Sequence, residues 1–165
     1  MLTPLASQLD VRGLNREDAP LLEAHLLRLQ ASDRHARFHG GMKDVAVSNY
    51  VGRMDWPRTY IFGALVDGTL RGVAELVTSQ AGTDAEVAVS IESEFQHAGL
   101  GRMLVLAAML AARRLAISVI RLTFQPENRG MRLLARDLGA RVTRTDPTEL
   151  TATITLFAGT DPALT

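Results

Sequence analysis

Apolar residues change their spacing along the chain, and each spacing predicts a different element. Between residues 21 and 29 leucine and alanine recur at roughly helical spacing, and Asn15 is suited to cap the helix they predict. Residues 58–66 and 69–79 are rich in β-branched and aromatic residues, which favour strands. The Asp67-Gly68 pair between them predicts a hairpin turn, so these two strands are expected to pair in antiparallel fashion.

The rest of the pattern predicts a mixed arrangement of strands and helices. Further strands are expected at residues 8–13, 85–92, 117–125, 141–145 and 149–157, and further helices at 44–51, 99–116 and 128–138. The polar segment 32–41 contributes no element to the expected order, which is β-α-α-β-β-β-α-β-α-β-β. This order describes an α/β fold, and no repeat or flexible linker divides residues 1–165, so we interpret them as one domain.

Charge and hydropathy narrow the classes of function. Lys plus Arg and Asp plus Glu number 18 each, and this balance argues against a general nucleic-acid-binding protein. Residues 1–10 lack the basic start and apolar run of a signal peptide. The longest apolar run, residues 103–112, is shorter than the roughly 20 residues that span a bilayer. We therefore expect a soluble, cytoplasmic protein with neither a nucleic-acid nor a membrane partner.

The composition also bears on metal and redox chemistry. The chain has no cysteine, which excludes disulfides, thiolate metal ligands and a cysteine nucleophile. His35 and His39 have the i, i+4 spacing of helical metal ligands, but Asp33 is the only further ligand in reach along the sequence. We therefore expect no metal.

Most of the chemical information lies where the predicted strand 85–92 gives way to an apolar helix. The connecting residues are Gln96-His97-Ala98-Gly99-Leu100-Gly101. The first N–H groups of a helix have no partner inside it and the helix dipole is positive there, so this turn is suited to bind a phosphate. A simple turn into a core helix is the alternative. A dinucleotide-binding fingerprint would need a third glycine where Leu104 stands, and the Gly-Lys-Ser/Thr of a P-loop is absent.

Gln-x-x-Gly-x-Gly after an extended strand resembles the acetyl-CoA signature of the GNAT (GCN5-related N-acetyltransferase) family. Residues 126–131 with Leu138-Gly139 are similar to the family's Pro-x-Asn segment and the helix that follows it. Residues 33–41 and 85–88 resemble the GNAT module of bacterial protein-lysine acetyltransferases. The resemblance implies a GNAT-like fold with a mixed, mostly antiparallel central sheet flanked by helices, and acetyl-CoA as the co-substrate.

The resemblance also implies how acetyl-CoA is held. In the family the sheet splays apart beside the strand that carries Glu86, and the pantetheine arm pairs with the freed backbone. The N–H groups of the glycine turn hold the pyrophosphate, and Asn128 contacts the pantetheine or an ordered water, or caps a helix. His97 and Ala98 stand where the family often has glycine and a basic residue, and Arg102 is expected to supply part of that charge. The residues expected to bind acetyl-CoA are Val89, Ser90, Ile91, Gln96, His97, Ala98, Gly99, Leu100, Gly101, Arg102 and Asn128.

Glu86 is the predicted general base. An amine with a pKa of ~10.4 is mostly protonated at neutral pH, so its attack on a thioester requires a group that accepts a proton. Strand alternation puts Glu86 on the face opposite Val87 and Val89. Its position matches that of a glutamate base in the protein acetyltransferases that this chain resembles. Glu75, on the neighbouring strand, is the reserve candidate.

The resemblance leaves the proton donor for the departing thiolate open. Many relatives carry a tyrosine seven residues after the asparagine, and here that position is Ala135. Tyr60, Ser90 or a water are the candidates for its role. Departure without an acid is the other option, because a thiol of pKa ~8.5 is a tolerable leaving group.

The resemblance predicts an N-acetyltransferase that moves acetyl from acetyl-CoA directly to a primary amine, with protein lysine ahead of a small-molecule amine. A small-molecule acetyltransferase would have an acidic cleft near Glu75 and Glu86. Ala135 in place of the tyrosine favours a second alternative, a non-catalytic acyl-CoA-sensing regulatory domain. A third alternative is a donor with a larger acyl group than acetyl, which the sequence does not decide. Homodimers are common in the resembled family, so a homodimer is a further expectation.

Overall fold

The computed structural model describes residues 7–156, and in it seven strands form one sheet in the order β1-β2-β3-β4-β5-β7-β6. Neighbouring strands are antiparallel except for β4 and β5, which are parallel. The strands are β1 (Leu9–Leu14), β2 (Thr59–Val66), β3 (Thr69–Thr78), β4 (Asp84–Ile91), β5 (Val119–Phe124), β6 (Arg141–Asp146) and β7 (Glu149–Thr155). The expected α/β fold with a mixed, mostly antiparallel sheet is confirmed.

Five helices of the described chain flank this sheet. They are α1 (Ala19–Arg28), α2 (Ala31–Phe38), α3 (Asp44–Gly52), α4 (Leu100–Arg114) and α5 (Arg129–Asp137). Asn15 caps a 3-10 turn, Arg16–Asp18, that immediately precedes α1: its side chain accepts from the Glu17 N–H at 2.9 Å. Pro20 at the start of α1 fits there, because the first helical N–H groups need no partner in the helix.

The helix α2 is missing from the order predicted by sequence, which has two helices between the first two strands where the structure has three. Only Ala31, Ala36 and Phe38 of its eight residues are apolar, so the repeated apolar spacing that indicates a helix is absent from its sequence, and none of its residues is fully buried. The helix ends at His39, which has a left-handed backbone with φ of 56°. The polar segment is therefore an element of the fold, and it packs beside β4.

The sheet has a hydrophobic core on each face. The core under α4 and α5 includes Leu104, Ala108 and Ile120, and it also contains the buried Ala135. The core under α1 and α3 includes Leu22, Leu26, Val47, Ile61 and Val73. The two layers of helices fix β4 between them, with alternate side chains facing each layer.

Other predicted elements are found close to their expected limits. Asp67 and Gly68 have φ of 49° and 82°, the paired positive values that a tight hairpin turn requires. The last strand ends at Thr155, and the predicted Phe157 lies outside the described residues. Across residues 7–156 no helix combines the length and apolarity needed to cross a bilayer.

Candidate active site

The sheet opens between its two parallel strands. The β4–β5 pairing covers only Asp84 to Glu86 on β4, whereas β4 stays paired with β3 as far as Ile91. The Glu92 N–H donates to the Arg71 carbonyl of the β3 side at 3.0 Å. Because every second residue of a strand directs its N–H to the same side, the even-numbered residues of β4 face β3 and the odd-numbered ones face away from it. The N–H groups of Val87, Val89 and Ile91 therefore point toward the open edge, where β5 has turned away.

A cleft of about 670 Å³ occupies this opening, and we call it the first cleft. Its walls come from β4, the end of β5, the glycine turn, α2 and α5. Nine of the eleven residues predicted to bind acetyl-CoA line it: Val89, Ser90, Ile91, Gln96, His97, Gly99, Gly101, Arg102 and Asn128. Ala98 and Leu100 do not line it, because Ala98 is exposed to solvent and the Leu100 side chain is buried in the core.

The glycine turn presents backbone donors at the end of this cleft. Gly99 caps α4 with φ of 82°, and His97 also has a positive φ, of 64°. Within residues 7–156 no oxygen accepts from the N–H groups of residues 97–102, whereas the Met103 N–H donates to the Gly99 carbonyl. A Cβ on Gly99 would meet no heavy atom within 4 Å, so this face of the turn is open. Unpaired N–H groups at a helix N-terminus suit a phosphate.

The side chain of Gln96 braces the turn from inside. Its amide donates to the Ile91 carbonyl and to a carboxylate oxygen of Asp33 on α2, each at 3.0 Å. The Ser93 hydroxyl donates to the other Asp33 oxygen at 2.6 Å. Gln96 therefore holds the end of β4, the turn and α2 together, a structural role that the motif alone does not reveal.

Arg102 and Asn128 both have partners in the protein. The Arg102 guanidinium lies 3.5 Å from a carboxylate oxygen of Asp137, which lines the opposite wall of the first cleft. Asn128 caps α5, because its side-chain oxygen accepts from the Met131 N–H at 3.1 Å. The helix-cap interpretation of Asn128 is thus observed, and its place in the cleft wall is compatible with a second contact.

A second cleft of about 400 Å³ adjoins the first and contains Glu86. The Glu86 side chain is exposed and has no hydrogen-bond partner within the described residues. Glu149 also lines this cleft, where its carboxylate lies 3.1 Å from the His39 ring. Arg121, on the far side, is paired with Asp84 at 2.7 Å.

Glu75 forms the floor of the second cleft but is not free to act as a base. It is only 1% exposed, and its carboxylate accepts hydrogen bonds from Arg37 and from the Tyr50 hydroxyl. The Arg37 guanidinium also lies over the Phe38 ring, 4.6 Å from its centre. Because the carboxylate is neutralised and enclosed, the reserve candidate has a structural role.

The tyrosine near these clefts is not the one that sequence suggested. Tyr60 lines neither cleft, whereas Tyr50 lines the second. The only sequence signal for Tyr50 is its place on the helix predicted at residues 44–51, and that place does not point to a cleft. Among residues 7–156, which include His35 and His39, no group of three or more His, Asp or Glu side chains is placed to hold a metal ion.

A buried polar network behind β4 was also missed. His25, fully buried in α1, bonds the Ser90 hydroxyl through Nε2 at 2.9 Å and Glu92 through Nδ1 at 3.0 Å. Burial alone raises the pKa of Glu92, but hydrogen bonds from His25, Arg28 and Arg71 outweigh it and lower the pKa to about 2. The sequence does contain one signal of this network, a histidine placed between Leu22 and Leu26 on the apolar face of the first predicted helix. Glu92 is thus a buried anion.

Comparison with known proteins agrees with this architecture. Residues 25–140 match the acetyltransferase (GNAT) family. An acetyltransferase of Pseudomonas aeruginosa is 31% identical over 150 residues, which are 87% of this chain and 80% of the relative. The chain therefore belongs to the acetyltransferase (GNAT) family, whose members are acyl-CoA-dependent N-acyltransferases.

Solved structures show the same fold at lower identity. The GNAT domain of S. lividans PAT superposes with a TM-score of 0.74 at 18% identity, covering 88% of this chain and 89% of that domain. The PaiA N-acetyltransferase of Thermoplasma acidophilum, solved in complex with coenzyme A, gives 0.69 at 20% identity, covering 90% and 99%. The family and fold suggested by the residue motifs are confirmed.

Proposed function

We propose that this enzyme transfers acetyl from acetyl-CoA directly to a primary amine, with the cofactor in the first cleft and the amine in the second. The observation that carries the proposal is the open edge of β4, which leads to the unpaired N–H groups of residues 97–102. The pantetheine arm carries amide groups that can pair with the N–H groups of Val89 and Ile91. The pyrophosphate is a dianion that fits the N-terminus of α4.

The residues present fit this cofactor in two further respects. Gly99 leaves the face of the turn open to a phosphate, and Gly101 has no heavy atom within 4 Å of a Cβ position either. Arg102 is paired with Asp137 at 3.5 Å, and both are partly exposed, so the guanidinium can turn to a phosphate without leaving a buried charge unpaired. Ala98 and Leu100 contribute through their backbone N–H groups.

Glu86 is the proposed base. It lies at the last β4 position paired with β5, where the first and second clefts meet. Its carboxylate is exposed and unpaired, so it can accept a proton directly or through a water. The proton taken from the ammonium leaves a neutral amine beside the thioester. Attack on the carbonyl carbon then forms the amide bond as the carbon–sulfur bond breaks, and the proton that the amine nitrogen loses passes to the departing thiolate, with no covalent enzyme intermediate.

We propose protein lysine as the acceptor ahead of a small-molecule amine. Glu86 and Glu149 give the second cleft two carboxylates toward the surface, which suit an approaching ammonium. Glu86 is exposed, so the end of a lysine side chain can reach it without the backbone that carries it entering the cleft. The resemblance of residues 33–41 and 85–88 to protein-lysine acetyltransferases supports the same choice.

The first test is isothermal titration of acetyl-CoA into the wild type and Gly99→Glu. The new carboxylate would stand at the turn in place of a phosphate, so we expect saturable binding to be lost. Gly68→Glu is the matched control, because both glycines have φ of 82° and an open Cβ position, but Gly68 is in the β2–β3 hairpin. Equal affinity in both variants would refute the site.

The acceptor is tested by following CoA release with lysine-containing peptides, polyamines and aminosugars. Peptide turnover that depends on Glu86 supports the proposal. Turnover with polyamines or aminosugars alone would identify a small-molecule acetyltransferase. Acetyl-CoA binding without turnover of any amine would identify an acyl-CoA-sensing domain.

A further inference from the structure

Three side chains behind the open edge of β4 have the connectivity of a nucleophilic triad. The Ser90 hydroxyl lies 2.9 Å from His25 Nε2, and His25 Nδ1 lies 3.0 Å from a carboxylate oxygen of Glu92. A serine on one ring nitrogen and a carboxylate on the other is the arrangement that activates a hydroxyl for covalent chemistry. The mechanism proposed above uses none of these contacts.

The carboxylate at the end of this chain is firmly fixed. Glu92 Oε1 accepts from Arg28 at 3.1 Å and from Arg71 at 2.9 Å. Glu92 therefore stays anionic and cannot rotate away from the imidazole. It is a positioning residue that fixes the His25 ring with Nε2 toward the serine.

The serine, unlike the histidine, reaches a substrate cleft. His25 is fully buried, whereas Ser90 is 6% exposed and lines the first cleft beside Val89 and Ile91. The backbone N–H and carbonyl groups of Ser90 face Val73 on β3, so its hydroxyl is the polar group that remains for a ligand in the cleft.

We propose that Ser90 is a catalytic nucleophile, which takes the acyl group from the thioester and passes it to water when no amine is bound. Ser90 Oγ forms a bond to the carbonyl carbon as the carbon–sulfur bond breaks. The hydroxyl proton moves to His25 Nε2 and from there to the leaving thiolate. Water then attacks the acyl-serine ester, gives its proton through His25 back to Ser90, and releases the carboxylic acid. The activity is that of an acyl-CoA thioesterase.

This inference rests on the proposed function in one respect, the presence of the thioester in the first cleft. It predicts two events that direct transfer does not: a covalent adduct on Ser90 and CoA release without any amine. Bracing of α1 against β4 would explain the same hydrogen bonds but neither event.

The test incubates the full-length enzyme with acetyl-CoA and no amine, then measures thiol release and the mass of the acid-quenched protein. We expect one acetyl group on the peptide that contains Ser90. Thiol release should fall about tenfold or more in Ser90→Ala, with the acetyl-CoA Kd within about threefold of wild type. Ser90→Cys should restore the adduct. Ser48→Ala is the matched control, because the Ser48 hydroxyl also bonds a side chain of α1, Glu23 at 2.6 Å, but Ser48 lines neither cleft.

The outcomes separate this proposal from the one it rests on. Normal binding and amine acetylation, with no adduct and with thiol release unchanged in Ser90→Ala, would overturn the nucleophile and leave the acetyltransferase intact. A loss of thiol release in Ser90→Ala without an adduct on the wild type would also overturn it, because Ser90 would then only position the thioester. Absence of acetyl-CoA binding to the wild type would overturn both.

Discussion

The buried anion at Glu92 makes the stability of this enzyme sensitive to acid in a calculable way. The pKa of Glu92 is lowered from 4.5 to about 2 in the folded protein, because three hydrogen-bonded partners outweigh the effect of its burial. At about 1.4 kcal/mol per pH unit, this difference corresponds to about 3 kcal/mol of stabilisation. Since the folded pKa is the lower one, the stabilisation is present above pH 4.5 and is lost as the pH falls toward 2.

The perturbation is Glu92→Gln, which keeps the shape of the side chain and removes its titration. Two-state linkage gives a loss of about 1 kcal/mol in the wild type between about pH 6 and about pH 3.5 from this group alone. Asp18, Asp84 and Asp146, whose pKa values are also lowered by hydrogen bonds, contribute equally in both proteins and cancel. The wild type should therefore lose about 1 kcal/mol more than the variant over this range.

Urea unfolding followed by circular dichroism at the two pH values measures this difference. Glu94→Gln removes an exposed carboxylate two residues away and should keep the wild-type loss. Equal losses in wild type and Glu92→Gln would refute the reasoning, since they would mean that Glu92 titrates alike in the folded and unfolded chains.

Three further predictions concern the second cleft. Glu86→Gln should lower kcat for amine acetylation about 100-fold with little change in the acetyl-CoA Kd, whereas Glu94→Gln should not, and steady-state kinetics of both variants check this. Arg37→Leu should cost about 3–5 kcal/mol in urea unfolding because it leaves the buried Glu75 unpaired, whereas Arg58→Leu, which breaks an exposed pair with Asp55, should cost less than about 1 kcal/mol; similar costs would contradict this account of Glu75. Glu149→Gln should raise the KM for a cationic acceptor about threefold with kcat retained. Added salt should raise the KM of the wild type toward that of the variant, because it screens the same attraction. An unchanged KM in the variant would show that this carboxylate does not attract the amine.

Local pattern was enough to predict most of the sheet and the first cleft. Alternation placed Glu86 and Ser90 on one face of β4, and the glycines of the turn indicated an open helix N-terminus that the structure shows. These features depend on residues within one strand–turn–helix unit, so the sequence contains the information directly.

Contacts between distant segments could not be predicted in this way. His25 and Glu92 are 67 positions apart, and Arg37 meets Glu75 across 38. Such pairs form only after α1 and α2 have packed on the sheet. The helix α2 itself was missed because only Ala31, Ala36 and Phe38 of its eight residues are apolar, so its sequence shows no continuous apolar stripe.

The helix α2 forms part of the wall of both clefts. Asp33, in its first turn, is held by Gln96 and Ser93 beside the glycine turn, and Ala36 and Arg37 line both clefts. A ligand that fixes the glycine turn should therefore also fix a wall of the second cleft, the site proposed for the amine. Thermodynamic reciprocity then requires each substrate to change the affinity of the other by the same factor. Each substrate should accordingly bind with a changed affinity to an enzyme already loaded with the other, and a single helix would carry this coupling.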